Sequence, residues 1–158
     1  MFFQNMEVLK ISSIKEKLLE DMKTAMKKGE KDIVSVIRMV RAAVKNVEIE
    51  KRKDLDDQET IEVIAKELRQ RKDSITEYEK VGKDKVVEDL EKEIEVLAEY
   101  LPEQLSREEL EKIAEDKIEK TGAGSLADMG KVMGAIMPEI KGKADGREVN
   151  EIVKEKLE

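Results

Sequence analysis

Lys31-Asp32-Ile33-Val34-Ser35-Val36-Ile37-Arg38-Met39-Val40-Arg41-Ala42-Ala43-Val44-Lys45-Asn46-Val47-Glu48-Ile49-Glu50-Lys51-Arg52 is the stretch on which the fold turns. Ile33, Ile37, Val40, Val44 and Val47 recur at alternating steps of four and three residues, the period of a helix that buries one face. The same period extends in both directions. Upstream it predicts a helix from about Ser13 to Lys28, with Ile14, Leu18, Met22 and Met26 on one stripe and Gly29 as terminator. Downstream, Asp56 or Asp57 can cap a third helix whose stripe is Ile61, Ile64, Leu68, Ile75 and Tyr78, closing near Gly82. A fourth starts near Asp84, carries Val87, Leu90, Ile94, Leu97 and Leu101, and stops at Pro102. No segment alternates apolar and polar residues for long enough to be a strand, so the fold class is all-α.

Pro102 divides the chain. Residues 1–101 hold long helices joined by short connections, which favours antiparallel neighbours in a bundle-like N-terminal domain. Residues 102–158 read as a small three-helix domain. Ser106 with Glu109 forms a capping box for its first helix, which runs to about Lys120. Ser125 with Asp128 opens the second, ending at Pro138, and Asp145 followed by Glu148 opens the last, with Val149, Ile152, Val153 and Leu157 facing inward. Residues 1 to 10 read as a frayed start.

Composition removes most chemistry. The 158 residues include no His, no Cys and no Trp, so disulfides, zinc clusters, haem ligation and His-based catalytic arrangements are all absent. No metal and no cofactor is expected. The aromatics are Phe2, Phe3, Tyr78 and Tyr100, too few for a platform that stacks RNA bases. Apolar runs reach only three or four residues, so no membrane span is expected and a cytoplasmic location follows as an expectation. The 24 Lys and 27 Glu, with few Asn and Gln, resemble the usage of proteins from hot environments.

The net charge of -7 hides a local excess. Between Lys23 and Lys45 the balance is +5, and Arg38, Arg41 and Lys45 share one helical face, a spacing that could neutralise phosphates. The alternative is a solvated face whose charges pair with Glu48 and its neighbours. Arg71 interrupts the apolar stripe between Leu68 and Ile75, so it either snorkels to solvent or pairs with a carboxylate.

The run from Gly130 to Arg147 carries the most information. Gly130 and Gly134 stand four apart in a helical pattern, at a cost of about 1 kcal/mol each relative to Ala, and bare one side of the backbone for close approach of a helix or ligand. Met129, Met133 and Met137 line a neighbouring face, a spacing that fits a core. Lys141-Gly142-Lys143 then forms a flexible basic turn before a helix N-terminus, where an anion could sit; Lys131 and Arg147 flank it. The alternative is an ordinary helix-to-helix turn with solvent-facing lysines. No catalytic constellation is present: Gly142-Lys143-Ala144 lacks the Ser or Thr and the preceding strand of a phosphate loop.

Four blocks, in order, resemble the free-standing members of the GatB/YqeY family. They are Val36 to Ala42, Glu67 to Ser74, Tyr100 to Ser106, and Ala127 to Gly134 continuing through Lys141 to Gly146. The resemblance covers the chain from about Ile14 onward. It implies a larger N-terminal helical domain and a C-terminal three-helix domain of the kind found as the tail of the B subunit of tRNA-dependent amidotransferases and appended to some glutaminyl-tRNA synthetases. There the module grips the body of the tRNA, so tRNA is the implied partner, with an amidotransferase or aminoacyl-tRNA synthetase as the alternative. The tails carry similar patterns at Gly130 to Met133, Lys141 to Ala144 and Val149-Asn150, but tend to have Lys where this chain has Gly134 and a shorter segment before the basic turn. Charge placement, read beside this resemblance, makes Lys131, Lys141, Gly142, Lys143 and Arg147, with Arg38, Arg41 and Lys45, the expected RNA contacts, and the bare backbone makes Gly130 and Gly134 the expected helix contact. The family's carbon–nitrogen ligase activity, with glutamine as amido donor, needs a kinase-like cradle and an amidase subunit that a chain of this length does not contain.

Overall fold

The computed structural model describes residues 13–158, so the start expected to fray over residues 1 to 10 lies outside the described part. Among the described residues there are seven α-helices, one short 3-10 turn and no strand: α1 Ile14–Lys28, α2 Lys31–Lys51, α3 Asp57–Lys80, α4 Asp84–Ala98, α5 Arg107–Thr121, α6 Met129–Ile140 and α7 Gly146–Leu157. The chain is all-α. The boundaries follow local chemistry. The Ser13 hydroxyl accepts from the Glu16 amide at 3.1 Å, and Gly29 closes α1 in the left-handed region at φ 73°. Asp56 with Glu59, and Ser106 with Glu109, form reciprocal capping boxes that open α3 and α5.

Packing divides the chain into one compact unit ending at Leu101 and a second, Pro102–Glu158. In the first, α2 is the central element. Its Val36, Ile37, Val40 and Val44 meet Leu18 from α1, Ile64 and Leu68 from α3, and Leu97 from α4. Full burial of each such side chain contributes roughly 1.5–3 kcal/mol. Tyr100 closes this core, its hydroxyl donating to the Asp21 carboxylate while the Lys17 ammonium lies 5.1 Å from the ring centroid. Burial pushes the phenol well above its usual range. The second unit has its own core, in which Leu110 and Ala114 of α5, Val132, Ile136 and Ile140 of α6, and Val149, Ile152, Val153 and Leu157 of α7 converge.

The structure departs from the sequence reading at several points. Pro138 does not end α6, which runs on to Ile140. The ring removes one N–H donor in the last turn, but Ile136 and Ile140 are both fully buried, and their packing holds the helix through it. Ser125 makes no side-chain cap; instead Asp128 accepts from the Gly124 amide at 2.9 Å and a 3-10 turn, Leu126–Asp128, leads into α6. Spacing alone puts Met26, Tyr78 and Met137 on inner stripes, yet all three are exposed, because each lies beyond the reach of the helices that cover its neighbours. Ala25 takes the inward place beside Met26.

Arg71 resolves its alternative by pairing. Its side chain is 7% exposed, with Nη1 2.9 Å from Glu67 Oε2 and Nε 3.5 Å from Glu93 Oε2 on α4. The guanidinium thus links α3 to α4. Its Nε and Nη2 are buried without a hydrogen bond among the described residues.

Candidate nucleic-acid interface

The basic row on α2 borders a groove. Between α1 and α2 lies a cleft of about 570 Å³ whose lining includes apolar Leu18, Leu19 and Ala42, the cations Lys15, Arg38, Arg41 and Lys45, and the carboxylates Glu16 and Glu48. Arg38 and Lys45 make no ion pair among the described residues, and the partner of Arg41 is the Met22 sulfur, 3.7 Å from Nη1. Glu48, the carboxylate expected to neutralise this row, lines the same cleft and feels the charge of Lys45, but its hydrogen bonds go to other groups. It accepts from Lys15 Nζ at 2.7 Å and from the Leu55 amide at 2.9 Å, with its side chain 11% exposed. The hydrogen bond from Lys15 holds the Glu48 carboxyl below its ordinary value, and the same bond raises Lys15. Asp57 adds a third link by accepting from the Ile14 amide at 3.0 Å. The start of α1, the end of α2 and the start of α3 are joined at this point, and Arg38, Arg41 and Lys45 stay outside any ion pair among the described residues. Lys15 and the groove were not legible in the sequence, because Lys15 and Glu48 are 33 residues apart and meet only through the α1–α2 hairpin.

A pH dependence follows. Because the folded-state pKa of Glu48 is lowered, its contribution to stability is present above the ordinary value of 4.5 and is lost as pH falls through the lower folded value. Glu48→Gln is expected to be less stable than the parent at about pH 7, with the gap closing towards about pH 3 in denaturant titrations. An unchanged gap across that range would rule out the Lys15–Glu48 bond as its origin.

In the second unit the basic turn is held more firmly than its glycine suggests. Gly142 sits at φ 76°, its carbonyl accepts from Gln104 Nε2 at 2.9 Å, and the Lys143 carbonyl accepts from the Leu105 amide at 2.9 Å. Gln104 also donates to the Pro102 carbonyl at 2.8 Å, so the segment after Pro102 holds the turn by two bonds while a third holds Gln104 itself. The flexible loop expected from Lys-Gly-Lys is thus an anchored one. Gly142→Ala forces a side chain into left-handed geometry and is expected to cost about 1–2 kcal/mol, read as a lower unfolding midpoint; an unchanged midpoint would mean that the turn relaxes freely.

The cations around that turn divide. Lys131 and Lys143 are exposed and make no ion pair among the described residues. Arg147 is bound to Asp145, with Nη2 2.9 Å from Oδ2. Lys141 is exposed and lies at the end of α6. Gly130 and Gly134 lie on the exposed side of α6, where an added Cβ would meet nothing within 4 Å, so no element of the unit closes on them. Among the described residues no cluster of three or more acidic side chains could hold a metal ion, and no helix is long and apolar enough to cross a membrane.

Comparison with known proteins places this pair of helical units. The model of the Yqey-like protein family matches residues 15–157. The chain belongs to that family. Among curated relatives, it is 41% identical over 84 residues to Altered inheritance of mitochondria protein 41, mitochondrial, from Kluyveromyces lactis, covering 52% of this chain and 45% of that protein. It is 47% identical over 58 residues to the E subunit of the Glutamyl-tRNA(Gln) amidotransferase of Methanobrevibacter smithii, covering 34% of this chain and 9% of that protein. The Yqey-like chain therefore matches under half of the first relative and about a tenth of the second. Kinship links it to an amidotransferase component, while the first relative carries a mitochondrial designation.

Proposed function

We propose that this Yqey-like chain is a non-catalytic tRNA-binding accessory module, comparable to the tail of the amidotransferase B subunit, that holds the sugar-phosphate backbone by shape and charge. The observation that carries the reading is the set of exposed cations outside any ion pair among the described residues, Arg38 and Lys45 beside the α1–α2 groove and Lys131 and Lys143 in the second unit. Arg41 supplements the first set, and Lys141, Gly142 and Arg147 supplement the second. Aromatic platforms are lacking, so affinity rests on phosphate contacts and must fall with salt. The reading keeps the module in the cytoplasm, where tRNA is charged. Filter binding of the full chain to unfractionated tRNA is expected to show an affinity that weakens steeply as salt rises. Absence of binding at low salt, or an affinity indifferent to salt, would overturn it. Turnover of glutamine, ATP and mischarged tRNA by the chain alone would overturn the non-catalytic part.

A second reading, docking onto an amidotransferase or an aminoacyl-tRNA synthetase, is favoured by the open Gly130 and Gly134 side of α6 and by the kinship with the amidotransferase of Methanobrevibacter smithii. Nuclease treatment separates the two: association with such an enzyme that survives it supports docking, and association that disappears with the RNA supports tRNA binding.

A further inference from the structure

We propose that the outward face of α2 docks an amphipathic helix of another protein that carries a row of carboxylates along one flank of its apolar seam. Beside its buried side, α2 carries an exposed stripe that mixes apolar and polar residues. Val36, Ile37, Val40 and Val44 form the core, while Ser35, Met39, Ala42, Asn46 and Ile49 are exposed on another face. These five recur at steps of four, three, four and three residues, the heptad spacing by which one helix packs lengthwise on another. Met39 and Ile49 are 47% and 65% exposed, among the largest apolar side chains left in solvent by the first unit. A helix laid along this face would cover both, with Ala42 permitting close approach between them.

Charge decides what kind of helix fits. Arg38 and Lys45 immediately precede Met39 and Asn46, so they stand along one edge of the seam, at the heptad position that forms interhelical ion pairs. Neither is paired with a carboxylate among the described residues. An incoming helix with Asp or Glu along the matching flank would neutralise both. A second copy of this chain fits less well. In a parallel pairing it offers Glu50 to Lys45 and only Ala43 to Arg38. A single Asn46 amid apolar neighbours instead fixes register with a polar residue on the partner helix. Docking uses Arg38 and Lys45, the cations assigned to RNA, so an acidic helix and RNA exclude each other on α2.

The probe is a synthetic helical peptide as long as α2, 21 residues, with a leucine heptad seam, one Asn placed to meet Asn46, and Glu along the flank facing Arg38 and Lys45. Fluorescence anisotropy with the full chain is expected to show saturable binding. A peptide with Lys at the Glu positions is expected to bind at least about tenfold more weakly. Met39→Ser with Ile49→Ser is expected to weaken the Glu peptide by about tenfold or more while leaving tRNA affinity unchanged, because both residues are exposed and uncharged. The seam is thereby tested apart from the RNA reading. The proposal is overturned if the Glu peptide does not bind, if the Lys peptide binds as well, or if the double substitution leaves binding intact. It is also overturned if sedimentation shows the chain pairing with itself through this seam, with the pairing abolished by the same substitutions.

Discussion

Arg71→Ala is expected to destabilise the first unit by about 3 kcal/mol, the lower end of what removing one member of a buried ion pair costs. The guanidinium is 7% exposed, while the Glu67 and Glu93 side chains keep 20% and 26% of theirs, so water partly compensates the carboxylates left behind. The substitution also leaves a void between α3 and α4 where the side chain crossed. Arg71→Met is expected to recover at least half of that loss. Its unbranched side chain fills much of the same volume, and it removes two buried nitrogens, Nε and Nη2, that already lack hydrogen bonds. Denaturant unfolding of the three proteins separates the contributions. If Arg71→Ala stays within about 1 kcal/mol of the parent, the link is a surface-like pair with little weight. If Arg71→Met is as damaging as Arg71→Ala, the charge itself matters more than the packing.

The second large effect concerns RNA. Every cation withdrawn from a phosphate lowers the slope of log affinity against log salt by about 0.9 on a duplex backbone, so withdrawing four changes it by roughly three to four. The variant combining Arg38→Ala, Lys45→Ala, Lys131→Ala and Lys143→Ala is therefore expected to lose about a hundredfold or more in tRNA affinity at low salt and to show a salt slope shallower by roughly three to four, the remainder coming from Arg41, Lys141 and Arg147. All four side chains are exposed, so the fold is expected to be unaffected. Removing the pair from each unit separately assigns the loss. A slope that stays at the parent value with all four absent would mean that these cations do not meet phosphate.

The family resemblance and the helical period of α2 carry the fold a long way, and the reasons are local. Ser13, Asp56, Ser106 and Gly29 cap their helices through bonds to residues no more than four positions away, which a reader of the chain can anticipate. Pro138 misleads because its effect on backbone donors is local, whereas the burial of Ile140 that overrides it comes from α5 and α7. Met137 and Tyr78 mislead for the opposite reason: their spacing is right for a core, but no neighbouring element extends far enough to cover them. The candidate site divides in the same way. Arg38, Arg41 and Lys45 share a helical face as their spacing requires, and Lys141 to Lys143 form a turn as Gly142 requires.

The sequence by itself determined that the chain is helical, most of the helix bounds, the caps at Ser13, Asp56 and Ser106, and the positions of excess positive charge, since periodicity, propensity and short-range hydrogen bonding act within a few residues. Only the tertiary structure decided which of those charges remain available. Glu48 is hydrogen-bonded by Lys15 rather than by the α2 row, Arg147 is bound by Asp145, and the Lys-Gly-Lys turn is fixed by Gln104 and Leu105. Except for Arg147 with Asp145, those partners lie more than thirty residues apart in the chain, and a charge is neutralised by whatever folding brings within about 4 Å of it, which spacing along a single helix does not reveal.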